Sequence, residues 1–275
     1  MDQYAVIGSP IKHSLSPRIH QLFAQQMQQS LNYTAECVSP EQFTPFVNQF
    51  FANGGLGLNC TVPLKELAFE YADQLTERAK IAKAVNTLCQ LSNGIILGDN
   101  TDGIGLMTDL TVNYQLTIQH KRLLILGAGG ATRGIIAPLL NLLPQNLVIA
   151  NRTVEKALKL AKEFNDSNIQ MIACHFSELK DYQFDLILNA TSASLTNQLP
   201  ELPETILASG GYCYDLAYSR NPTPFVKWGQ NHGAIKSVDG LGMLVEQAAE
   251  AFTLWRGIRP QTQPIIQLLM EEMKS

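Results

Sequence analysis

At 275 residues, 45% apolar and 16% charged, the chain can bury a core in one large domain or two, and its composition excludes a disordered polymer. Its net charge of -4 comes with no lysine–arginine block, which argues against nucleic acid as the main partner. The N-terminus lacks a basic region followed by an apolar one, no apolar run reaches membrane-spanning length, and the five cysteines (Cys37, Cys60, Cys89, Cys174, Cys213) form no CxxC pair. The expectation is a soluble cytoplasmic protein with no membrane span, no disulfide framework and no metal site.

Tyr4 to Ile7 reads as a short strand ending at Gly8-Ser9-Pro10. A polar loop follows, and Ser16 as N-cap with Pro17 in the first turn starts a helix bearing Ile19, Leu22, Phe23 and Met27 on one face. Asn32 to Cys37 is a second strand. Ser39-Pro40-Glu41-Gln42 supplies the N-cap, first-turn proline and capping-box glutamine of a helix reaching about Phe51. Asn53-Gly54-Gly55 turns into a third strand, Leu56 to Cys60, which Pro63 stops. Leu64 to Tyr71 is helical, and Thr76 caps another short helix. Thr87 to Leu91 and Ile95 to Gly98 flank the hairpin signal Ser92-Asn93-Gly94. Gly103 to Leu110 reads as a connecting helix.

Leu123 to Leu126 is apolar enough for a strand buried on both faces. Gly127, Gly129 and Gly130 follow, then Ile135, Ile136, Leu139, Leu140 and Leu143 at helical spacing. Strand, glycine turn and helix open a dinucleotide-binding βαβ unit. Gly127 permits the tight turn, Gly129 lets the backbone approach a pyrophosphate, and the helix N-terminus offers free N–H groups and a positive dipole end. Thr132 stands at the third fingerprint position, where Gly or Ala is usual. The return strand, Leu147 to Ala150, ends in Asn151-Arg152-Thr153, where an NAD-binding chain usually carries Asp or Glu for the ribose 2′-hydroxyl. No carboxylate there repels a 2′-phosphate, Arg152 can clamp one, and Lys156 adds charge a helical turn further on, so the cofactor is read as NADP.

Helix 154–164, strands 169–173 and 184–188, strand Tyr212 to Leu216 after Gly210-Gly211, a helix opened by Asn221-Pro-Thr-Pro224 and strand Ala234 to Val238 continue this half. The last two helices, roughly 243–255 and 260–273, have no strand of their own and are expected to pack back on the first domain. The fold class is therefore α/β in two domains. An N-terminal substrate domain with a mainly parallel sheet takes 1–102 plus 241–275, and a Rossmann-like NADP-binding domain takes 103–240, with substrate expected in a cleft between them.

Polar residues gather where strands end, the place at which α/β sheets bind ligands. Ser14 and Ser16 follow the first strand, Asn59 and Thr61 end the third, and Lys65 opens the next helix. Asn86 precedes a strand, Asn100-Thr101-Asp102 follows the hairpin, and Asn189 to Ser192 and Asp215 to Tyr218 end strands of the second half. Seven motifs in one order are similar to those of the shikimate dehydrogenase family. They are Gly8-Ser-Pro-Ile-Lys-His-Ser-Leu-Ser-Pro17, Asn59-Cys-Thr-Val-Pro-Leu-Lys65, Gly98-Asp-Asn-Thr-Asp-Gly103, Gly127-Ala-Gly-Gly-Ala131, Asn151-Arg-Thr153, Asn189-Ala-Thr-Ser192 and Asp239-Gly-Leu-Gly-Met-Leu244. The sequence departs from the family pattern at Gln21, at Cys60 (usually Val) and at Ala193-Ser194, which replaces a small-residue–Gly pair.

The resemblance implies NADPH-dependent, reversible reduction of 3-dehydroshikimate to shikimate, on the chorismate route to aromatic amino acids, by a monomer or homodimer. It implies Ser14 and Ser16 for the substrate carboxylate. Thr61, Lys65, Asn86, Asp102, Tyr218 and Gln247 would surround the ring hydroxyls, with Lys65 and Asp102 as the catalytic pair. For the cofactor it implies Gly127, Ala128, Gly129, Gly130, Ala131, Asn151, Arg152, Thr153, Lys156, Leu216, Gly240 and Glu77. Reducing a ketone needs a hydride at carbon and a proton at oxygen. A helix N-terminus disfavours an ammonium at Lys65 and the Asp102 carboxylate favours it, so the two are expected to share proton transfer. His13, beside the serines, is the default alternative acid. Two rivals remain: a quinate/shikimate dehydrogenase using NAD, which would want an acidic residue in place of Arg152, and a non-catalytic shikimate-binding module, which would lack the pair.

Overall fold

Alternate residues of the first strand, β1 (Asp2–Gly8), bury into two separate cores, so its sheet is covered on both faces. The computed structural model describes residues 1–165, 169–191, 193–196 and 198–274. They divide into two units, Met1–Gly105 with Leu244–Met273, and Leu106–Met243.

In the first unit, α1 (Ser16–Gln26) leads to β2 (Leu31–Cys37), and α2 (Phe43–Ala52) to β3 (Gly55–Cys60). Then come α3 (Lys65–Tyr71), β4 (Gln74–Leu75), α4 (Glu77–Ala82) and the hairpin β5 (Thr87–Gln90) and β6 (Ile96–Asp99). The strand order is β2-β1-β3-β5-β6-β4. β1 runs parallel to β2 and β3, β4 runs parallel to β6, and β5 is antiparallel to both its neighbours. Ala5 and Ile7 share a core with Val47 of α2 and Ala68 of α3, whereas Tyr4 and Val6 pack with Tyr33 and Trp255. Trp255 belongs to α9 (Leu241–Arg256), which α10 (Gln263–Lys274) follows. A Cβ on Gly8 would lie 2.4 Å from Thr61 Cγ2, so the loops after β1 and β3 approach at a separation that only glycine permits.

The second unit begins within α5 (Asp102–Thr108), which continues as a π-helical turn over Asp109–Asn113. It then alternates β7 (Arg122–Leu126), α6 (Gly130–Leu140), β8 (Asn146–Ala150), α7 (Val154–Glu163), β9 (Gln170–Cys174), β10 (Phe184–Asn189), β11 (Leu207–Asp215), α8 (Pro224–Asn231) and β12 (Lys236–Val238). Every pairing is parallel, in the order β12-β11-β10-β7-β8-β9. Counted from β7 this is the doubly wound dinucleotide order 3-2-1-4-5-6, with its switch point between β7 and β10. Leu123 and Ile125 bury with Ile135 and Leu139 of α6, whereas Leu124 and Leu126 bury with Phe225 and Trp228 of α8. Each such side chain contributes about 1.5–3 kcal/mol on burial.

Three local readings change. Ser16 is the first helical residue rather than the cap, and its N–H donates to Ser14 Oγ at 3.3 Å. The connecting helix starts one residue early, on Asp102 itself. β11 runs on through Gly210, whose φ of 80° takes up a register shift that the sequence pattern presents as a break.

Candidate functional site

Within the first unit, a polar cluster collects around the ends of β3 and β6. Lys65 opens α3, and its Nζ donates to Asp102 Oδ2 at 2.5 Å. The two side chains are 25% and 12% exposed, so a small molecule can reach both. Asn86 Nδ2 donates to Asp102 Oδ1 at 2.8 Å and to Gln247 Oε1 at 3.3 Å. The amide of Asn86 is held in turn, because Thr101 N–H donates to its Oδ1 at 2.9 Å. Asn59 Nδ2 donates to Asn86 O and to Thr87 Oγ1, and Tyr33 OH donates to Asn59 Oδ1 at 2.6 Å. These buried amides have one arrangement that satisfies every group, which fixes the carboxylate they support.

Asp99, 1% exposed, anchors the same segment from behind. Its carboxylate accepts from Thr76 Oγ1 at 2.5 Å, from the Arg78 guanidinium through two nitrogens, and from the N–H of Asn100. Burial alone would raise its pKa, but the Arg78 and Thr76 bonds outweigh this and hold it below the usual carboxylate range. Asn100 Oδ1 accepts the N–H of Asp102 at 3.1 Å, completing the turn. Arg78 also reaches Glu250 of α9 at 2.8 Å, and Arg259 links Glu250 to the buried Glu246, beside Gln247. One ionic chain thus stands behind both Asp102 and Gln247.

In the second unit the glycine turn has the form the fingerprint requires. Gly127 has φ of 101°, and its N–H donates to Ala150 O at 2.8 Å. The hydroxyl of Thr132, fully buried, donates to Gly127 O at 2.9 Å, so the unusual third position braces the turn from below. A Cβ on Gly129 or Gly130 would meet nothing within 4 Å, leaving open space over the α6 N-terminus for a pyrophosphate. Arg152, Thr153 and Lys156 are exposed at the start of α7, while Asn151 turns its amide to Thr153 O at 2.8 Å. The end of β8 therefore presents cations and no carboxylate from residue 151, as a 2′-phosphate needs. Leu216 donates its N–H to Asn189 O at 2.9 Å, and a Cβ on Gly240 would lie 2.3 Å from Leu216 O, so these two are neighbours.

Of the residues expected from sequence, Lys65, Asn86, Asp102 and Gln247 form one connected cluster. Ser14 and Thr61 are half-buried on the loops after β1 and β3 of the same unit, and Ser16 is buried. His13 is exposed. Tyr218 belongs to the second unit, after β11, and not to the unit carrying the other ring-hydroxyl candidates. Conversely Glu77 belongs to the first unit, where its exposed side chain pairs with Lys80 at 2.6 Å. Ser192 lies outside the described residues. Sequence reasoning missed Tyr33, Thr87 and Arg78, whose parts are set by partners distant along the chain. Among the described residues no group of three or more His, Cys, Asp or Glu could hold a metal ion, and no helix is long and apolar enough to cross a membrane.

The chain is similar to known proteins over most of its length. Residues 6–88 match the family model of the shikimate dehydrogenase substrate binding domain, 110–241 that of shikimate / quinate 5-dehydrogenase, and 240–270 that of the shikimate 5′-dehydrogenase C-terminal domain. The shikimate dehydrogenase (NADP(+)) of Methylococcus capsulatus is 59% identical over 100% of this chain and 98% of its own, and that of Cellvibrio japonicus is 51% identical over 99% and 98%. The crystal structure of shikimate 5-dehydrogenase from Thermus thermophilus, in complex with NADP(H) and shikimate, superposes with a TM-score of 0.87 at 29% identity, covering 99% of this chain and 100% of that one.

Proposed function

The chain belongs to the shikimate dehydrogenase family, and on that premise we propose that it catalyses the reversible, NADPH-dependent reduction of 3-dehydroshikimate to shikimate. It is an oxidoreductase acting on a CH–OH group, on the route to chorismate and the aromatic amino acids. The observation that carries the reading is the Lys65–Asp102 pair, held by Asn86 in one unit, together with a strand end in the other that carries Asn151 rather than an acid at the ribose position and exposes Arg152 and Lys156 beside it.

Gly127 to Ala131 would hold the pyrophosphate of NADP, Arg152 and Lys156 would meet its 2′-phosphate with Asn151 and Thr153 beside them, and Leu216 and Gly240 would flank the other half of the cofactor. The open space over Gly129 and Gly130 fits that group. When bound, NADPH supplies the hydride. Ser14 and Ser16 hold the substrate carboxylate, while Thr61, Asn86 and Gln247 orient the ring hydroxyls, with Tyr218 contributing from its own loop. Lys65 gives a proton to the oxygen of the reacting carbonyl, and Asp102 accepts a hydrogen bond from the hydroxyl so formed. In the reverse direction the pair removes that proton. Asn86 and Thr101 keep Asp102 aimed, so little reorganisation accompanies transfer.

We place this activity in the cytoplasm, with four buried cysteines and Cys37 unbridged, as a reducing compartment allows. The oligomer is a monomer or homodimer, to be read by light scattering. The assignment is tested with K65A and D102N and chromatographic identification of the product. Both variants should lose about 100-fold or more in kcat while still binding NADPH. Near-normal kcat in both would refute the role of the pair.

A further inference from the structure

The turn after β10 carries Ala193-Ser194, a departure from the pattern the rest of the chain follows. Ser194 is also joined to a fully buried carboxylate that the reaction scheme leaves unused. Asp215, 0% exposed at the end of β11, accepts Asn189 Nδ2 and Ala217 N–H on Oδ1, each at 3.1 Å. On Oδ2 it accepts Ser194 Oγ and Thr223 Oγ1, each at 2.6 Å. Asn189 Nδ2 reaches Ser194 Oγ as well, at 3.0 Å. The donors come from the end of β10, the turn after it, the loop after β11 and the N-cap of α8, so one carboxylate gathers four segments. A buried carboxylate is costly unless its lone pairs are met, and Ser194 is the donor by which the 193–196 turn meets them. Glycine at 194 would provide none.

We propose that Ser194 is a positioning residue for hydride transfer: through Asp215 it fixes the loops after β10 and β11 that receive the nicotinamide half of the cofactor. In the 3-2-1-4-5-6 order the crevice opens at the switch between β7 and β10. The end of β8, with Arg152, takes the adenosine-side ribose, so the second nucleotide falls to the ends of β10 and β11. Two contacts carry the loop position to the cofactor. A Cβ on Gly127 would lie 3.1 Å from Ala190 O, so the pyrophosphate turn rests on the β10 loop. Leu216, next after Asp215, is held by its N–H bond to Asn189 O at 2.9 Å.

The inference rests on the NADP-dependent reading, and the test separates the two. Full-length wild type, S194A, S194G and S194T are compared for NADPH affinity by nicotinamide fluorescence, for kcat and both KM values, for the isotope effect with 4-deuterated NADPH, and for thermal midpoint. S194A and S194G should each weaken NADPH binding about threefold or more and lower kcat, the scale of one buried hydrogen bond. The KM for shikimate should stay unchanged, the isotope effect should rise, and S194T should return most of the loss. Cofactor affinity, kcat and isotope effect within about twofold of wild type in S194A would overturn the proposal, as would a fallen thermal midpoint with unchanged kinetic constants. If the wild type binds NADPH but leaves shikimate unreacted, the substrate reading fails, while the affinity contrast still decides the part played by Ser194.

Discussion

Acid should destabilise this protein through one imidazole. His20, on α1, is fully buried, stacked on Tyr33 at 4.1 Å between ring centroids and bordered by Phe23, Phe252 and Trp255. Among the described residues neither ring nitrogen has a hydrogen-bond partner. Burial pushes its pKa down to about 3, with the Asn59 side chain pulling weakly the other way. The unfolded chain's histidine titrates near ~6.5. As pH falls below that value, the unfolded state binds a proton that the folded state refuses, so stability present at neutral pH is lost between about 6.5 and about 3. The loss from this group alone is about 2 kcal/mol at pH ~5 and about 3 kcal/mol at pH ~4. Urea unfolding followed by tryptophan fluorescence at pH ~7.5 and ~5 measures it. H20F keeps the ring stack and should shrink the difference between the two pH values by about 2 kcal/mol, with H20L as a second variant should Phe overpack the site. An unchanged difference in both variants would refute the argument.

Further outcomes follow from the same contacts. R78M strands the buried Asp99 carboxylate and should destabilise the protein by about 3–5 kcal/mol in urea, with R78K recovering part of it. R152A should raise the KM for NADP+ by about tenfold or more while leaving that for NAD+ little changed, lowering the ratio of activities with the two cofactors. Loss of the Asn86 amide in N86A should lower kcat more than it raises the KM for shikimate, because Asp102 loses its aim before the substrate loses a contact.

The parts of this structure legible in sequence are those with a local cause. Gly127, Gly129 and Gly130 sit between an apolar run and a helical one, and turn chemistry alone fixes what such a segment does. Arg152 is legible as the exposed residue after a buried strand because the apolar run before it is local. The hairpin at Ser92-Asn93-Gly94 declares its own turn, and Gly94 takes φ of 84° there. What stayed hidden depends on distant partners. Nothing near Arg78 announces Asp99 and Glu250, and Tyr33 looks like an ordinary strand residue until its hydroxyl meets Asn59. Ser16 carries a cap signature, yet the hydroxyl that takes its N–H is that of Ser14, two residues earlier. Ser194 could be noticed as an oddity but not explained, since Asp215 stands 21 residues away.

Initial rates followed at about 340 nm test the central claim most directly, with shikimate or quinate offered in turn with NADP+ or NAD+. The account predicts the fastest NADPH formation from shikimate with NADP+, and its collapse in K65A. No absorbance rise with wild-type protein, or a faster rise with quinate and NAD+, would contradict it.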